Sequence, residues 1–520
     1  MELVFEPARN GEPSARLGSL RLHSAYDPGE EARRFLDSSL GGKRPALVVL
    51  LGPCLDYLSP LLKARFPRAA ILSIQYSSGF EGRGAADAAW SPGPGPELGD
   101  FLERSLDEDL AVGVTVLEWP AASRAFPAEA EAAARILRGH LERMAASAAT
   151  LKSFGRRWFA NACRSFLLAE RLLAPTALDG ALVVAAAGPS LEEALEDLLP
   201  HRGRFRLLAV SSALAALRAR GFEPDLVVAT DGGFWSRAHL EPLAERPAAL
   251  AAPLSALASA SLSANPLLPV RQDGFPEREL CEALGGGLAI PSHGTVSGTA
   301  LRLALRLGPG PVIAAGFDFA ALGSRSHAGP HGFDHLTRHA ASRLGPAEGL
   351  AWEREASLSP TLLGEGPWRS SRSLETYAAA LSSECESLPD RLFRLRPSPV
   401  PLSGFAEIGG KDLPGLLGPA RLEPKAFAEA SPPPLESRRA VLKALFAHSR
   451  EASRQALLAF RAGDSPAGGR AAELFRALDL PDWAAALRAL ASGGDPGPAA
   501  QALDAGVRAY LDDLEGRLLS

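Results

Sequence analysis

Short apolar runs of strand length recur through the middle of the chain and constrain its fold more than any other feature. The runs are Ala181–Ala186, Phe205–Val210, Leu226–Ala229, Ala249–Ala252 and Pro311–Ala315. Helix-like stretches such as Leu191–Leu198 and Ser212–Arg220 lie between several of them. Strands that alternate with helices indicate a mostly parallel sheet with helices on both faces. The sequence therefore predicts an α/β, Rossmann-like central domain, and such sheets bind ligands at the carboxyl ends of their strands.

Further domains flank the central one, since 520 residues are too many for a single hydrophobic core. The apolar runs Ala46–Leu51 and Ala69–Ile74, with the helical Leu55–Arg65 between them, predict a smaller N-terminal α/β domain. Beyond the proline-rich boundary at Ser431–Pro434, alanine- and leucine-rich segments predict a helical C-terminal domain. We therefore expect an N-terminal α/β domain (1–150), a connecting helix (151–175), the central domain (176–410) and a helical domain (411–520).

Charge, cysteine content and hydropathy exclude several classes of protein. The net charge of −5 offers no general attraction to nucleic acid or to an anionic membrane surface. The four cysteines, Cys54, Cys163, Cys281 and Cys385, form no CxxC pair, which argues against a zinc site or a disulfide framework. The N-terminus lacks an apolar signal-peptide core, and no apolar run reaches the ~20 residues that span a bilayer. These features predict a cytoplasmic protein with no membrane span and no nucleic-acid partner.

The segment Ala181–Leu191 (ALVVAAAGPSL) carries the clearest ligand-binding pattern. A buried strand ends at Gly188, the chain turns at Pro189, and Ser190 is placed to cap the next helix. Gly188 allows the backbone to approach a ligand, and the helix N-terminus offers unpaired N–H groups to an anion. The pattern suits a nucleotide, although an ordinary strand–turn–helix corner has the same residues.

A second strand end, Leu226–Gly233 (LVVATDGG), places the carboxylate of Asp231 at the same edge of the predicted sheet. There it can hold a ribose hydroxyl or a metal-bound phosphate. An aspartate before two glycines is also a common turn residue, so both interpretations stay open.

Polar side chains crowd the segment Pro291–Ala300 (PSHGTVSGTA), which precedes a helix. Around Gly294 and Gly298 lie Ser292, His293, Thr295, Ser297 and Thr299. These side chains are more numerous than a helix cap needs, so we interpret the segment as a second anion-binding loop.

The last strand end, Val312–Asp318 (VIAAGFD), has Gly316 and Asp318 at its exit, and histidines follow it. The histidines are His327, His331, His335 and His339. Glycine and proline break any helix between the first two, so a shared zinc site is not favoured. A single histidine that acts as general base is the better functional interpretation, because imidazole titrates near neutral pH.

In this order, the motifs GPSL, TDGG, SGTAL and VIAAGFDF with histidines after it resemble those of the motility-accessory-factor glycosyltransferases. The resemblance covers about residues 176–345, with weaker likeness at His23–Ala32 and Phe154–Ala162. The central domain of that family is similar to bacterial sialyltransferases that use a cytidine-monophosphate (CMP) sugar. The resemblance thus implies a sialyltransferase-like central domain that binds a nucleotide sugar.

Individual roles follow from the same resemblance. Gly188, Pro189 and Ser190 would hold the nucleotide, and Ser297 and Thr299 would hold the phosphate. His327 or His331 would be the base, with Asp318 as the reserve candidate. Independently of the resemblance, the residue patterns described above add to the binding site Asp231, His293, Gly294, Thr295, Gly298 and Gly316.

Two departures from the family pattern bear on activity. Ala186 stands where the family usually has glycine. The related sialyltransferases stabilise the departing phosphate with tyrosines, whereas this chain has none between Tyr76 and Tyr377. His293 or a metal ion such as Mg²⁺ would then have to stabilise the phosphate.

The resemblance implies transfer of a nonulosonic, sialic-acid-like sugar from a CMP-activated donor to Ser or Thr of flagellin. Two alternatives remain. The family is also similar to archaeal pterin pyrophosphokinases, which transfer diphosphate from ATP and need Mg²⁺. A catalytically weak protein that binds flagellin through its helical C-terminal domain is the third hypothesis.

Overall fold

The computed structural model describes residues 2–520 except 107, 112, 257–263, 273, 365, 387, 389, 397, 420, 423–426 and 467–468. Contacts within the chain define two compact units, one of Met1–Arg156 with Leu445–Ser520 and one of Arg157–Ala444. The boundaries predicted at 150, 175 and 410 stay predictions, because this grouping by contact divides the chain along different lines.

The N-terminal part of the first unit contains two sheets. Its strands are β1 (Leu3–Pro7), β2 (Pro13–Leu17), β3 (Leu20–Arg21), β4 (Leu47–Leu51), β5 (Ala70–Ile74), β6 (Ala88–Trp90) and β7 (Thr115–Glu118). The first three form an antiparallel sheet, and the others form a parallel sheet in the order β6-β5-β4-β7. The helices are α1 (Pro28–Leu40), α2 (Leu58–Arg65), α3 (Leu98–Ser105), α4 (Glu108–Ala111), α5 (Pro120–Ala125) and α6 (Pro127–Leu168), which continues into the second unit.

The second unit is built on a large sheet. Its strands are β8 (Leu172–Leu173), β9 (Ala181–Ala185), β10 (Phe205–Val210), β11 (Leu226–Val228), β12 (Leu250–Ala252), β13 (Leu267–Arg271), β14 (Leu288–Ala289), β15 (Val312–Ala315), β19 (Leu392–Leu395), β20 (Ala406–Ile408) and β21 (Glu429–Ala430). The order is β20-β19-β15-β9-β10-β11-β12-β13-β8-β21, with β14 paired to β13. Strands β16 (Ala321–Leu322), β17 (Thr361–Leu362) and β18 (Trp368–Ser370) form a separate small sheet.

Helices connect these strands and cover the sheet. They are α7 (Leu191–Leu198), α8 (Leu214–Ala219), α9 (Arg237–Leu240), α10 (Pro242–Glu245), α11 (Glu277–Ala283), α12 (Val296–Leu307), α13 (Asp334–Ala340), α14 (Ala347–Leu358), α15 (Arg372–Cys385) and α16 (Leu413–Leu417). Short 3₁₀ segments occupy Ser78–Phe80, Leu199–Arg204, Ser211–Ala213, Phe234–Ser236 and Gly410–Asp412.

Strands β9 and β15 lie side by side at the point where the strand order reverses. From β9 the chain continues through β10, β11, β12 and β13 on one side, and later places β15, β19 and β20 on the other. The pairings from β20 through to β13 are all parallel, and every residue of β9 and β15 is buried. A reversal in a parallel sheet opens a crevice at the carboxyl ends of the strands. The predicted α/β fold class with a Rossmann-like sheet is therefore confirmed.

The C-terminal helices complete the first unit. They are α17 (Leu435–Ala462), which begins in the second unit, α18 (Gly469–Ala491) and α19 (Gly497–Leu519). Trp483 on α18 is fully buried and donates its indole N–H to Asp109 at 2.7 Å. The predicted helical character of this region is confirmed. No helix in the described part of the chain is both long and apolar enough to cross a membrane.

Candidate functional site

The loops that leave β9 and β15 are joined by a close backbone contact. The Gly188 N–H donates to the Gly316 carbonyl at 2.9 Å. A Cβ atom at Gly188 would collide with Asp318 and with the Gly316 carbonyl. Gly316 has a φ of 71°, and a Cβ atom there would collide with the Ala186 carbonyl. Glycine is therefore required at both positions by the approach of the two loops.

Asp318 links the exit of β15 to the turn after β9. Its Oδ2 accepts the Ser190 N–H at 2.7 Å, and its Oδ1 accepts the Ser190 hydroxyl at 2.6 Å. The residue is 2% exposed, and burial raises the pKa of Asp318, while the Ser190 hydrogen bonds and the charge of Arg394 oppose the rise. Because both carboxylate oxygens bind Ser190, Asp318 is placed to orient the turn.

The prediction that the Ser190 side chain caps α7 is wrong. The side chain makes no cap hydrogen bond to α7 and bonds to Asp318 instead. The Leu191 N–H donates to the Gly188 carbonyl at 3.0 Å, and the Glu192 N–H to the Pro189 carbonyl at 3.3 Å. The N–H groups of residues 190–192 thus already have protein acceptors, so this helix N-terminus differs from the open anion site that the sequence predicts.

Arg394, on β19, contacts the loop that carries Asp318. No local sequence pattern indicates this contact. This arginine is 1% exposed and donates to the Phe317 carbonyl at 2.7 Å, the Val400 carbonyl at 2.6 Å and the Ser398 hydroxyl at 2.9 Å. The Ser398 hydroxyl in turn donates to the Asp318 carbonyl at 2.7 Å. Burial lowers the pKa of Arg394. The guanidinium group satisfies loop carbonyls and fixes the backbone around Asp318.

The loop after β11 is held by α6 of the same unit. Asn161 donates to the Gly232 carbonyl at 3.1 Å and to the Ser255 carbonyl at 3.2 Å. A Cβ atom at Gly232 would lie 2.5 Å from Trp158. Both side chains come from the FGRRWFANA segment, so that segment positions the loop. The Asp231 side chain is exposed, and its Oδ1 accepts the Gly233 N–H at 2.7 Å.

The loop after β12 is fixed by Glu277. This carboxylate is 4% exposed and accepts the Leu254 N–H at 2.7 Å and the Ser255 hydroxyl at 2.6 Å. Burial raises the pKa of Glu277 to about 7, and these hydrogen bonds oppose the rise. A carboxylate that titrates near neutral pH thus lies at the same edge of the sheet.

The predicted second anion loop leads into α12, and its first N–H groups are open. Thr295 caps the helix by accepting the Gly298 N–H at 3.1 Å, and the Ser297 hydroxyl lies 3.3 Å from Thr295 Oγ1. The Thr299 hydroxyl is buried and turns back to the Thr295 carbonyl at 3.3 Å. Within the described residues, no hydrogen-bond acceptor is recorded for the N–H groups of Val296 and Ser297. Both groups are therefore available to an anion.

His293 lies beneath this loop. Its side chain is 3% exposed, with Nδ1 at 3.1 Å from Thr295 Oγ1 and Nε2 at 3.6 Å from Glu384 Oε2. Burial and the charge of Arg302 lower the pKa of His293, and Glu384 opposes them. A Cβ atom at Gly298 would collide with the His293 ring, which explains glycine there. The buried His293 ring therefore packs against the loop and stabilises its conformation.

A tyrosine lies beside the same loop. Tyr377 on α15 is 37% exposed, and its ring Cε1 would lie 3.7 Å from a Cβ atom at Gly294. No local sequence pattern indicates that this helix lies near Gly294. The structure thus brings a phenol group to the predicted phosphate loop.

The loop that carries His327 is tied to the turn after β9. The Ala328 N–H donates to the Ala187 carbonyl at 2.8 Å. Glu192, in the first turn of α7, accepts the Gly329 N–H at 2.8 Å and an Arg325 guanidinium N–H at 3.0 Å. The GPSL turn, Asp318 and the histidine loop therefore form one connected site.

Three histidine rings form a cluster in this site. The rings of His327 and His331 stack with centroids 4.1 Å apart, and His239 lies 4.8 Å from His331. Burial lowers the pKa of His327 to about 4 and that of His331 to about 2, and nearby histidines and Arg354 add to both shifts. Both rings are therefore neutral at pH 7. His335 and His339 lie exposed on α13, outside the cluster.

The two predicted base candidates differ in access. His327 is half-buried, and no protein partner is recorded for its Nε2 within the described residues. His331 has a buried Nε2 without a partner, and its Nδ1 lies 3.4 Å from the Phe333 N–H. No group of three or more His, Cys, Asp or Glu side chains in the described chain is arranged to hold a metal ion. The Nε2 atom of His331 is thus closed to contact, which leaves His327 as the candidate for the base.

The geometry places these residues as a candidate ligand site at the switch point of a doubly wound parallel sheet. Residues 165–323 match the MptE-like family model, described as 6-hydroxymethylpterin diphosphokinase MptE-like. An uncharacterized protein of Treponema pallidum (strain Nichols) is 28% identical over 352 residues, which cover 67% of this chain and 75% of that protein.

The fold is similar to that of a solved Maf glycosyltransferase. The Maf glycosyltransferase structure from Magnetospirillum magneticum AMB-1 superposes with a TM-score of 0.57 at 12% identity, covering 99% of this chain and 93% of the other. The resemblance drawn from the motifs is therefore confirmed at the level of the fold, which is similar to that of the Maf glycosyltransferase, and residues 165–323 are similar to the MptE-like family.

Proposed function

We propose that the protein is a glycosyltransferase that uses a CMP-activated nonulosonic acid as donor. The observation that carries the proposal is the connected site at the β9–β15 switch point, where the Asp318–Ser190 link holds the GPSL turn beside His327. A neutral imidazole at the carboxyl edge of a parallel sheet suits transfer to a hydroxyl acceptor. The Maf-type fold supports the same reaction class.

The donor phosphate would bind at the N-terminus of α12. The open N–H groups of Val296 and Ser297 and the hydroxyl of Ser297 are suited to an anion. Tyr377 lies beside Gly294 and can donate its phenol O–H to the departing phosphate. Gly188, Pro189 and Ser190 would line the nucleotide end of the site, and Asp231 would meet a ribose hydroxyl.

The acceptor we propose is a Ser or Thr hydroxyl of flagellin. The hydroxyl oxygen bonds to the anomeric carbon of the sugar as the bond from that carbon to the phosphate oxygen breaks. The electron pair of the broken bond leaves with CMP, and the acceptor proton passes to Nε2 of His327. Arg394 and Asp318 orient the loops without meeting the reacting atoms.

A thermal-shift series tests the donor. Because a ligand that binds only the folded state raises the melting temperature, CMP should raise it, with little response to uridine, guanosine or adenosine monophosphate. Ser297→Ala should reduce the shift, and Leu435→Ala on the distant α17 is the control. Stabilisation by ATP alone, with no response to CMP, contradicts the proposal.

The second candidate is a pterin diphosphokinase, which the MptE-like match over residues 165–323 favours. That reaction moves a diphosphate from ATP to a pterin hydroxyl with Mg²⁺, and the exposed carboxylate of Asp231 would be the first candidate for metal contact. Incubation with ATP, Mg²⁺ and 6-hydroxymethylpterin followed by mass spectrometry tests it. A pterin diphosphate product would establish this function in place of sugar transfer.

A further inference from the structure

Next to His327 lies a partly buried chain of polar groups that the reaction as described does not use. The Ser326 hydroxyl lies 2.9 Å from His327 Nδ1 and donates to Glu355 Oε1 at 3.0 Å. Glu355, on α14, is 1% exposed, and its Oε2 has no hydrogen-bond partner in the described residues. Glu355 is the buried residue of this helix, and burying a carboxylate costs free energy that hydrogen bonds and paired charges must offset.

The direction of these hydrogen bonds follows from the number of protons. A serine hydroxyl carries a single proton, and Ser326 gives it to Glu355. Toward the imidazole, Ser326 Oγ can then only accept, so His327 must carry its proton on Nδ1. The lone pair of the neutral ring is consequently on Nε2, the nitrogen that has no recorded protein partner.

We propose that Ser326 and Glu355 are positioning residues that fix the Nδ1–H tautomer of His327 and present its Nε2 to the acceptor hydroxyl. The inference rests on the proposed transferase function and adds two residues to it. When Nε2 takes the acceptor proton, the Glu355 carboxylate stabilises the imidazolium through Ser326. Carboxylates that orient a histidine in this way fix both its tautomer and its ring orientation.

The neighbouring charges are consistent with this role. Arg354 lies 3.4 Å from Glu355 Oε1, and its guanidinium holds the carboxylate next to Ser326. The His331 ring stacks on the His327 ring, with centroids 4.1 Å apart, and this contact limits rotation of His327. His239 and Asp231 lie further along the cluster, beyond His331. Glu355 is thus the carboxylate that is linked to His327 by hydrogen bonds through the Ser326 hydroxyl.

The tautomer can be observed without turnover. In protein labelled with ¹⁵N-histidine, we expect an Nδ1–H signal pattern that disappears in His327→Gln, which assigns it to His327. Ser326→Ala should convert that pattern to a mixture of tautomers, and Ser326→Thr should restore it, because threonine keeps the hydroxyl. An Nε2–H pattern for His327 in the wild-type protein, or an unchanged pattern in Ser326→Ala, overturns the proposal.

Kinetics supply a second test. Ser326→Ala should lower kcat for sugar transfer roughly 10–100-fold with little change in donor KM, and Ser326→Thr should recover most of it. Glu355→Gln should shift the acid limb of the kcat/KM profile to lower pH, because the negative charge that favours imidazolium is lost. Glu353→Gln, exposed on the same helix, is the matched control. If no transfer is seen with any donor while the tautomer results hold, the proposed function fails and the hydrogen-bonded chain stands.

Discussion

The two loops predicted to bind anions have the same kinds of residue but different partners in the folded protein. At the GPSL turn, the N–H groups of residues 190–192 bind Asp318 and nearby carbonyls. At the loop before α12, the first two N–H groups have no recorded acceptor in the described residues, and Thr295 alone serves as the cap. A glycine-rich turn at a helix start therefore indicates an anion site only when its N–H groups remain free of protein acceptors.

The largest effect on stability should come from adding a side chain where the loops that leave β9 and β15 are in contact. Gly188→Ala should lower the free energy of unfolding by about 1–3 kcal/mol, because the new methyl group would collide with Asp318 and the Gly316 carbonyl. Urea denaturation followed by circular dichroism measures the change. Gly95→Ala, which places its methyl in open space, should change stability by less than about 0.5 kcal/mol. Equal stability of the two variants would show that this contact is not tight.

A second prediction separates the roles of the two loops. Asp318→Ala should cost about 1–3 kcal/mol of stability, because the partly buried Ser190 N–H and hydroxyl would both lose their acceptor. Ser297→Ala should leave stability within about 0.5 kcal/mol but weaken CMP binding roughly tenfold, since the hydroxyl is proposed to meet the phosphate. Denaturation and isothermal titration of both variants give the comparison. If both variants lost stability and CMP affinity in the same ratio, the proposal that Asp318 stabilises the fold while Ser297 binds the phosphate would be contradicted.

The histidine cluster predicts that stability falls in acid. The pKa values of His327 and His331 are lowered in the folded state to about 4 and about 2, so the unfolded chain binds protons first as the pH falls below about 6.5. The stability that the neutral rings contribute is present above about pH 6.5 and is lost as the pH falls, down to about pH 4 for His327 and about pH 2 for His331. Denaturation midpoints at pH 7 and pH 5 should show the loss, and His331→Gln should reduce it. A His331→Gln protein with the wild-type pH dependence would contradict the burial of this ring.

The smallest effect is expected at Asp231. Asp231→Asn keeps an oxygen that can accept the Gly233 N–H, so the turn should survive while the charge is removed. Nucleotide affinity should fall by about 1 kcal/mol if the carboxylate meets a ribose hydroxyl. Isothermal titration with CMP decides, and unchanged affinity would leave Asp231 as a turn residue only.

The sequence predicted the sheet better than the site, for a physical reason. Apolar runs such as Ala181–Ala186 report burial locally, so the parallel strands and their exits could be placed from residue type alone. The link between Ser190 and Asp318 joins residues 128 positions apart, and no local pattern signals it. The buried position of Arg394 could not be predicted, because a charged residue in a strand usually faces water. In the structure this guanidinium group donates to buried carbonyls.

The positions of Tyr377 and His327 in the site also could not be predicted from local sequence patterns. Tyr377 reaches the phosphate loop from a helix that lies about 80 residues after Gly294 in the chain, and only the fold brings them together. The choice between His327 and His331 could not be made from spacing, because it depends on which ring nitrogen remains accessible. Local patterns thus located the loops, and long-range contacts decided which atoms in them are free to bind or react.

The most direct test of the proposed function is transfer itself. Flagellin and a CMP-activated nonulosonic acid, incubated with the protein, should yield CMP and a flagellin whose intact mass has risen by one sugar residue. His327→Gln should reduce the rate by roughly 10²–10⁴-fold while CMP still raises the melting temperature, because the base is lost and the nucleotide site is not. Exposed His339→Gln should behave as the wild type. No added mass on flagellin, together with a diphosphate product from ATP and 6-hydroxymethylpterin, would contradict the account.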